Sequence, residues 1–176
     1  MNLPNLITVG RIFCVPFIVW AITVGQYQLA FWLFVAAGIS DAVDGFLAKH
    51  FEAKSELGAY LDPLADKALL MSIYVTLGIA GQLPPWLVIA VVSRDIMILG
   101  AVIVAWLVEK PIAIQPHIVS KLNTLAQILL VIAVLASDAF VLDWGLFREG
   151  LVFTVAVLTG LSAAFYLAAW MRHMAA

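Results

Sequence analysis

The chain has 176 residues, of which 65% are hydrophobic and only 11% charged, with a mean hydropathy of +1.09. A water-soluble domain carries about 25% charged residues, so composition excludes one and points to an integral membrane protein. The net charge of −2 singles out no partner, and a nucleic-acid partner is not expected. The one cysteine, Cys14, excludes an internal disulfide.

Apolar runs of about 20 residues mark membrane spans. Six are predicted, at 6–24, 30–48, 60–80, 85–107, 118–137 and 150–171. The first lacks a basic flank and a small-residue cleavage pattern, so it reads as a retained helix rather than a signal peptide. Asn5 near its start suits a helix cap, and Cys14 reads as a small packing residue. After the Gly25-Gln26 break, the second run carries Asp41 and Asp44 near its end. A polar stretch from Lys49 to Glu56 leads into the third run, with Asp62 and Asp66 near its start.

Gly81 to Pro85 separates the fourth run, which holds Ser93, Arg94 and Asp95. An arginine deep in a span needs a partner, and adjacent Asp95 is expected elsewhere on the helix. The fifth run, after Glu109 to Pro116, opens with Ser120, Lys121, Asn123, Thr124 and Gln127. Two readings fit these two patches: a buried network bracing helices 3, 4 and 5, or a cationic pocket for a phosphate. Asp138 to Glu149 precedes the sixth run. His50, His117 and His173 lie at loop ends and are assigned no ligand role. The expected architecture is all-α: one domain over 1–176, a single six-helix transmembrane bundle.

Loop charge sets orientation. With the N-terminus inside, the inner ends hold Lys49, Lys54, Lys110, Lys121 and Arg172, and the outer side holds only Arg148. Both termini and the Lys49–Glu56 connection are then cytoplasmic.

The four aspartates dominate the energetics. An Asp at the centre of a bilayer helix costs roughly 2.5–3.5 kcal/mol. Four deep ones would cost on the order of 10 kcal/mol, comparable to the stability of a domain. Spacings of i, i+3 and i, i+4 put each pair on one helix face, and the chain reversal between them lets the two faces meet. Gly45 and Gly58 allow close approach, and Pro63 removes one helical hydrogen bond. Three readings remain open on spacing alone. The acids pair with Lys49, Lys54, Lys67 or Arg11; or they line an ion or proton path; or they bind a hard cation. Carboxylate oxygens suit Mg²⁺ or Mn²⁺ rather than zinc, and one carboxylate can serve as a general base. A transport path more often sits at the midplane than at one face.

The segment DAVDGFLAKHFEAKSELGAYLDPLAD resembles the signature of the CDP-alcohol phosphotransferase family, D-x2-D-G-x2-A-R-x8-G-x3-D-x3-D. Seven of eight fixed positions match over 26 residues: Asp41, Asp44, Gly45, Ala48, Gly58, Asp62 and Asp66. Lys49 stands where the family has Arg, which keeps the charge but loses the bidentate fork. The start NLPNLITVGRI is similar to bacterial members that make glycerol-based anionic lipids, which puts Asn5 and Arg11 near the nucleotide site.

The resemblance implies an enzyme that transfers a phosphatidyl group from CDP-diacylglycerol to an alcohol and releases CMP. It implies Asp41, Asp44 and Asp62 as metal ligands, for two Mg²⁺ or Mn²⁺ ions. Asp66 would deprotonate the acceptor hydroxyl and contribute to the second metal. Asn5, Asp41, Gly45, Lys49 and Gly58 would bind the CDP-lipid, and Arg94, Lys121 and Asn123 the acceptor.

S-R-D followed by S-K-x-N-T-x-x-Q resembles the cardiolipin synthase branch, whose acceptor is phosphatidylglycerol. The phosphatidylglycerophosphate synthase branch tends to S-R-E and G-K-x-K-T-x-x-Q and takes glycerol 3-phosphate. Asn123 in place of a second lysine favours the phosphodiester acceptor. The resemblance further implies a homodimer in the bacterial inner membrane, its site facing the cytoplasm, or in the mitochondrial inner membrane.

Overall fold

The computed structural model describes the backbone of residues 3–51, 56–107 and 118–175, and the side chains of 10–40, 66–101 and 118–172. Among the described residues there are six helices and no strand: α1 (Leu3–Thr23), α2 (Tyr27–Phe51), α3 (Glu56–Ile79), α4 (Pro85–Leu107), α5 (Ile118–Phe140) and α6 (Gly145–Ala175). Each expected apolar run falls on one helix to within a residue, and most helices run past the apolar limits. α6 starts five residues before its run, within the polar Asp138–Glu149 stretch expected to be loop. Hydropathy marks what lipid tolerates, whereas helical hydrogen bonds continue into polar ends. The same extension puts Asn5 inside the first turn of α1 rather than at its cap. α3 continues through Pro63.

Helices α1 and α3 end on one device, encoded by a Gly-Gln pair. Gly25 and Gly81 both take φ of +75°, the left-handed conformation that glycine adopts without a Cβ penalty. The amide of Gln26 donates to the carbonyl of Ala21 at 2.8 Å, and that of Gly25 to Ile22 at 3.1 Å. Gln82 and Gly81 repeat the pattern on Leu77 and Gly78 at 2.8 and 3.1 Å. Both are Schellman caps, which satisfy carbonyls that a helix end leaves orphaned. α5 ends on the same i to i−5 bond, but without the glycine. Val141 takes φ of +53°, and the Leu142 amide donates to Ser137 at 3.0 Å. A β-branched residue is strained there, by about 1–2 kcal/mol.

The chain divides into two compact units. The first comprises residues 1–83 and 131–144, the second residues 84–130 and 145–176. In the first, α1 packs against both α2 and α3. Its interior includes Ile18 and Ile22 of α1, Phe34 of α2, and Ile73, Tyr74 and Leu77 of α3. Phe31, Trp32 and Phe140 meet edge to face, with centroids 5.2–6.5 Å apart. In the second, α4 packs against α6, and Leu87, Val91, Leu130 and Val155 are buried.

Among the described residues, two helical stretches, Ile118–Phe140 and Gly145–Arg172, are long and apolar enough to cross a membrane by length and composition. α6 leaves Leu146, Phe153, Leu161 and Phe165 exposed, a surface that lipid covers more readily than water. The other four expected spans are helices of 21 to 25 residues.

Candidate functional site

Asp41, Asp44, Gly45 and Lys49 lie on the second half of α2, and Gly58, Asp62 and Asp66 on the first half of α3. Both backbones are helical there, so the i, i+3 and i, i+4 spacings place each acid pair on one face of its helix. The side chains of Asn5, Asp41, Asp44, Lys49 and Asp62 lie outside the described residues, as does the expected meeting of the two pairs. α1 is in contact with both acid-bearing helices.

Asp66 is described, and α1 supplies its partner. Arg11 Nη1 donates to Asp66 Oδ1 in an ion pair 55 residues apart in sequence. The pair is lopsided. The Arg11 side chain is 2% exposed and that of Asp66 43%. A buried guanidinium depends on its carboxylate, because charge in a low-dielectric interior is costly without a partner. The half-exposed carboxylate can still be approached from outside. Arg11, raised from sequence both as an ion-pair partner and as a residue near the nucleotide, is found on the residue expected to be the base.

The second unit holds a more enclosed cluster. Arg94 of α4 donates from all three of its nitrogens. Nη1 reaches Asp95 Oδ1 at 2.5 Å, Nη2 reaches Ser120 Oγ of α5 at 2.7 Å, and Nε reaches Ser162 Oγ of α6 at 3.2 Å. Nη2 also donates to Ser162. The Tyr166 ring lies 5.5 Å from the guanidinium carbon, within cation–π range. Asp95 does not point elsewhere on the helix as expected: the long Arg94 side chain folds back to it. The partners are on α4, α5 and α6, where helices 3, 4 and 5 were expected.

Beside it, Thr159 Oγ1 donates to Asn123 Oδ1 at 3.0 Å, joining α6 to α5. Asn123 is 0% exposed, and its Nδ2 is buried with no hydrogen-bond partner among the described residues. A hydrogen bond adds only about 1 kcal/mol net, while a buried unsatisfied donor costs about 1–3 kcal/mol. The Asn123–Thr159 pair therefore returns no more stability than an apolar pair of the same shape would.

Of the three residues expected at the acceptor, Arg94 and Asn123 are buried and internally bonded, and only Lys121 is exposed. Thr159, Ser162 and Tyr166 were not anticipated. Their signal was present in the spacing: 159, 162 and 166 repeat the i, i+3, i+7 stripe of Ser120, Asn123 and Gln127 on α5. Hydroxyls in an apolar helix draw less notice than charges.

Among the described residues no group of three or more His, Cys, Asp or Glu could hold a metal. Asp66 is the one acid of the four whose side chain is described. The four positions offer carboxylate oxygen only, and Asp66 remains approachable, so the donor set fits a hard divalent cation.

A family model described as CDP-alcohol phosphatidyltransferase matches residues 1–170. The chain is 34% identical over 155 residues to a cardiolipin synthase (CMP-forming) of Rattus norvegicus, covering 79% of this chain and 51% of that protein. It is also 34% identical over 158 residues to a chloroplastic CDP-diacylglycerol--glycerol-3-phosphate 3-phosphatidyltransferase 1 of Oryza sativa subsp. japonica, covering 80% of this chain and 48% of that one. A CDP-diacylglycerol--glycerol-3-phosphate 3-phosphatidyltransferase of Bacillus subtilis is 32% identical over 149 residues, 76% of each chain. The chain thus spans about half the length of the rat and rice proteins.

Proposed function

The chain belongs to the CDP-alcohol phosphatidyltransferase family, and from that premise we propose that it is a membrane transferase moving a phosphatidyl group from CDP-diacylglycerol to a glycerol-type acceptor, releasing CMP. The observation that carries this reading is the acidic spacing on α2 and α3, within a family match over residues 1–170. We read 1–176 as one catalytic domain and all six helices as spans. Both termini and the α2–α3 connection then face the cytoplasm of a bacterial inner membrane, or the matrix of a mitochondrion. A homodimer is part of the same reading.

Each residue has a role in this reading. Asn5, Asp41, Gly45, Lys49 and Gly58 bind the CDP-lipid, with Lys49 as a point charge on its phosphates. Asp41, Asp44, Asp62 and Asp66 hold divalent metal, Mg²⁺ or Mn²⁺ and two ions in number, which when bound offsets charge on the attacking and leaving oxygens. Asp66 takes the proton from the acceptor hydroxyl. The new oxygen–phosphorus bond forms on the lipid side of the pyrophosphate. The bond to the CMP phosphate breaks, and CMP carries away the electron pair. Arg11 holds one carboxylate oxygen of Asp66 from the buried side. In the acceptor patch Lys121 meets the phosphate, and Arg94 and Asn123 hold its surroundings from behind.

Phosphatidylglycerol, giving cardiolipin, is the acceptor we favour, on the strength of Asn123. The rice and Bacillus relatives, named for glycerol 3-phosphate transfer, favour that acceptor instead. Purified chain given CDP-diacylglycerol and Mn²⁺ or Mg²⁺ is expected to release CMP with phosphatidylglycerol, and EDTA to abolish release. Release only with glycerol 3-phosphate would reassign the acceptor. No release with either, or with inositol or serine, would sink the transferase reading. Cation flux in proteoliposomes lacking CDP-lipid would put a transporter in its place.

A further inference from the structure

Buried hydroxyls on α6 have no part in the reading above. We infer that Thr159 and Ser162 are positioning residues for acceptor binding, acting through the two residues that bracket Lys121 on α5. The inference rests on Lys121 being the acceptor contact.

Ser120 precedes Lys121 directly and Asn123 follows it by two positions. Ser120 accepts from Arg94 at 2.7 Å, and Arg94 in turn donates to Ser162. Asn123 accepts from Thr159 at 3.0 Å. The start of α5 is thus tied at two points about one turn apart, once through α4 and once directly to α6. One residue of helix corresponds to about 100° of rotation, so two such ties fix the direction in which Lys121 projects. A single tie would leave the turn free to pivot.

Stability does not account for the Asn123–Thr159 tie. The Asn123 amide keeps Nδ2 buried without a hydrogen-bond partner among the described residues, and Thr159 and Ser162 are themselves 2% and 1% exposed. An apolar pair at 123 and 159 would fill the same space with no unmet polar group. What the polar set supplies is direction: hydrogen bonds have required angles, and apolar contacts do not.

The test compares Michaelis constants for the two substrates in the full-length protein. Thr159→Val keeps the shape and removes the donor. It is expected to raise KM for the acceptor by about 3–10-fold, the equivalent of one lost hydrogen bond, while KM for CDP-diacylglycerol stays within about twofold. Thr159→Ser restores the hydroxyl and should return acceptor KM to the parent value. Ser162→Ala is expected to act like Thr159→Val. The double variant Thr159→Val with Asn123→Leu removes both polar partners, so it should be at least as stable as the parent and still bind the acceptor poorly. It also serves where Thr159→Val fails to fold.

Lys121→Met separates the inference from the reading beneath it. If Lys121→Met raises acceptor KM and the α6 variants do not, the inference is overturned and the acceptor reading stands. If Lys121→Met leaves acceptor KM unchanged, the acceptor reading itself fails. Equal rises in both KM values, or a lower melting temperature alone, would reduce the hydroxyls to packing and overturn the inference.

Discussion

Arg11 and Arg94 are both buried, and each holds a carboxylate, yet the two pairs are built in opposite ways. Arg94 takes the acid next to it in sequence, and Asp95 is as enclosed as the arginine, at 5% against 3% side-chain exposure. Serines on two other helices complete its bonds. Arg11 reaches across 55 residues to an acid that is 43% exposed. A set this enclosed spends four of the five guanidinium N–H groups on its own helices. A pair with one wet member can be remodelled when a substrate or cation arrives, because the carboxylate loses little hydration by changing partners.

This contrast can be broken most severely at the wet pair. Asp66→Asn is expected to lower CMP release by about 10²–10⁴-fold, the usual contribution of a general base, and also to lower the melting temperature, because the buried Arg11 guanidinium loses its counter-charge. A variant with near-parent turnover would remove Asp66 from the chemistry. At the closed pair the loss should fall on stability. Arg94→Met strands a buried Asp95 and is expected to cost about 3–5 kcal/mol, read as a lowered melting transition in detergent. Adding Asp95→Leu should recover most of it, since apolar replacement of a buried pair is often neutral.

Arg11→Met sharpens the contrast further. The carboxylate it abandons is half hydrated, so its stability cost should be about 2 kcal/mol smaller than that of Arg94→Met, while CMP release still falls. Equal stability losses at the two arginines would erase the distinction. The smallest effect belongs to a site outside both clusters. Val141→Gly relieves the left-handed strain at the end of α5 and should add about 1 kcal/mol with turnover unchanged. A destabilised glycine variant would mean that Val141 packs against something its 92% exposure does not suggest.

What could be read from sequence was whatever lies along the chain. Six apolar runs became six helices, because hydrophobic length and helical length nearly coincide in such a protein. The Gly25-Gln26 and Gly81 breaks were legible because glycine is what a left-handed cap selects. The helical placement of the acids followed from their spacing. The features that escaped join distant positions. The sequence offered Arg11 as one of four cations for the acids without saying which acid it meets, and nothing local says that Thr159 finds Asn123. The Arg94–Asp95 contact escaped for another reason: adjacent helical residues diverge at Cβ, and only a side chain as long as arginine closes the gap. Val141 escaped because a β-branched residue is a poor signal for a left-handed turn.

The order of segments along the chain has a consequence for biosynthesis. Residues 131–144 belong with the first three helices, and residues 145–176 return to the unit begun at 84. Neither unit is contiguous, so no single break in the polypeptide yields one whole. A ribosome that has delivered α1 to α4 has finished neither. The first is completed only when the end of α5 emerges, and the second only with α6. Premature termination anywhere before α6 therefore leaves Arg94 without Ser162, a cation lacking part of its enclosure.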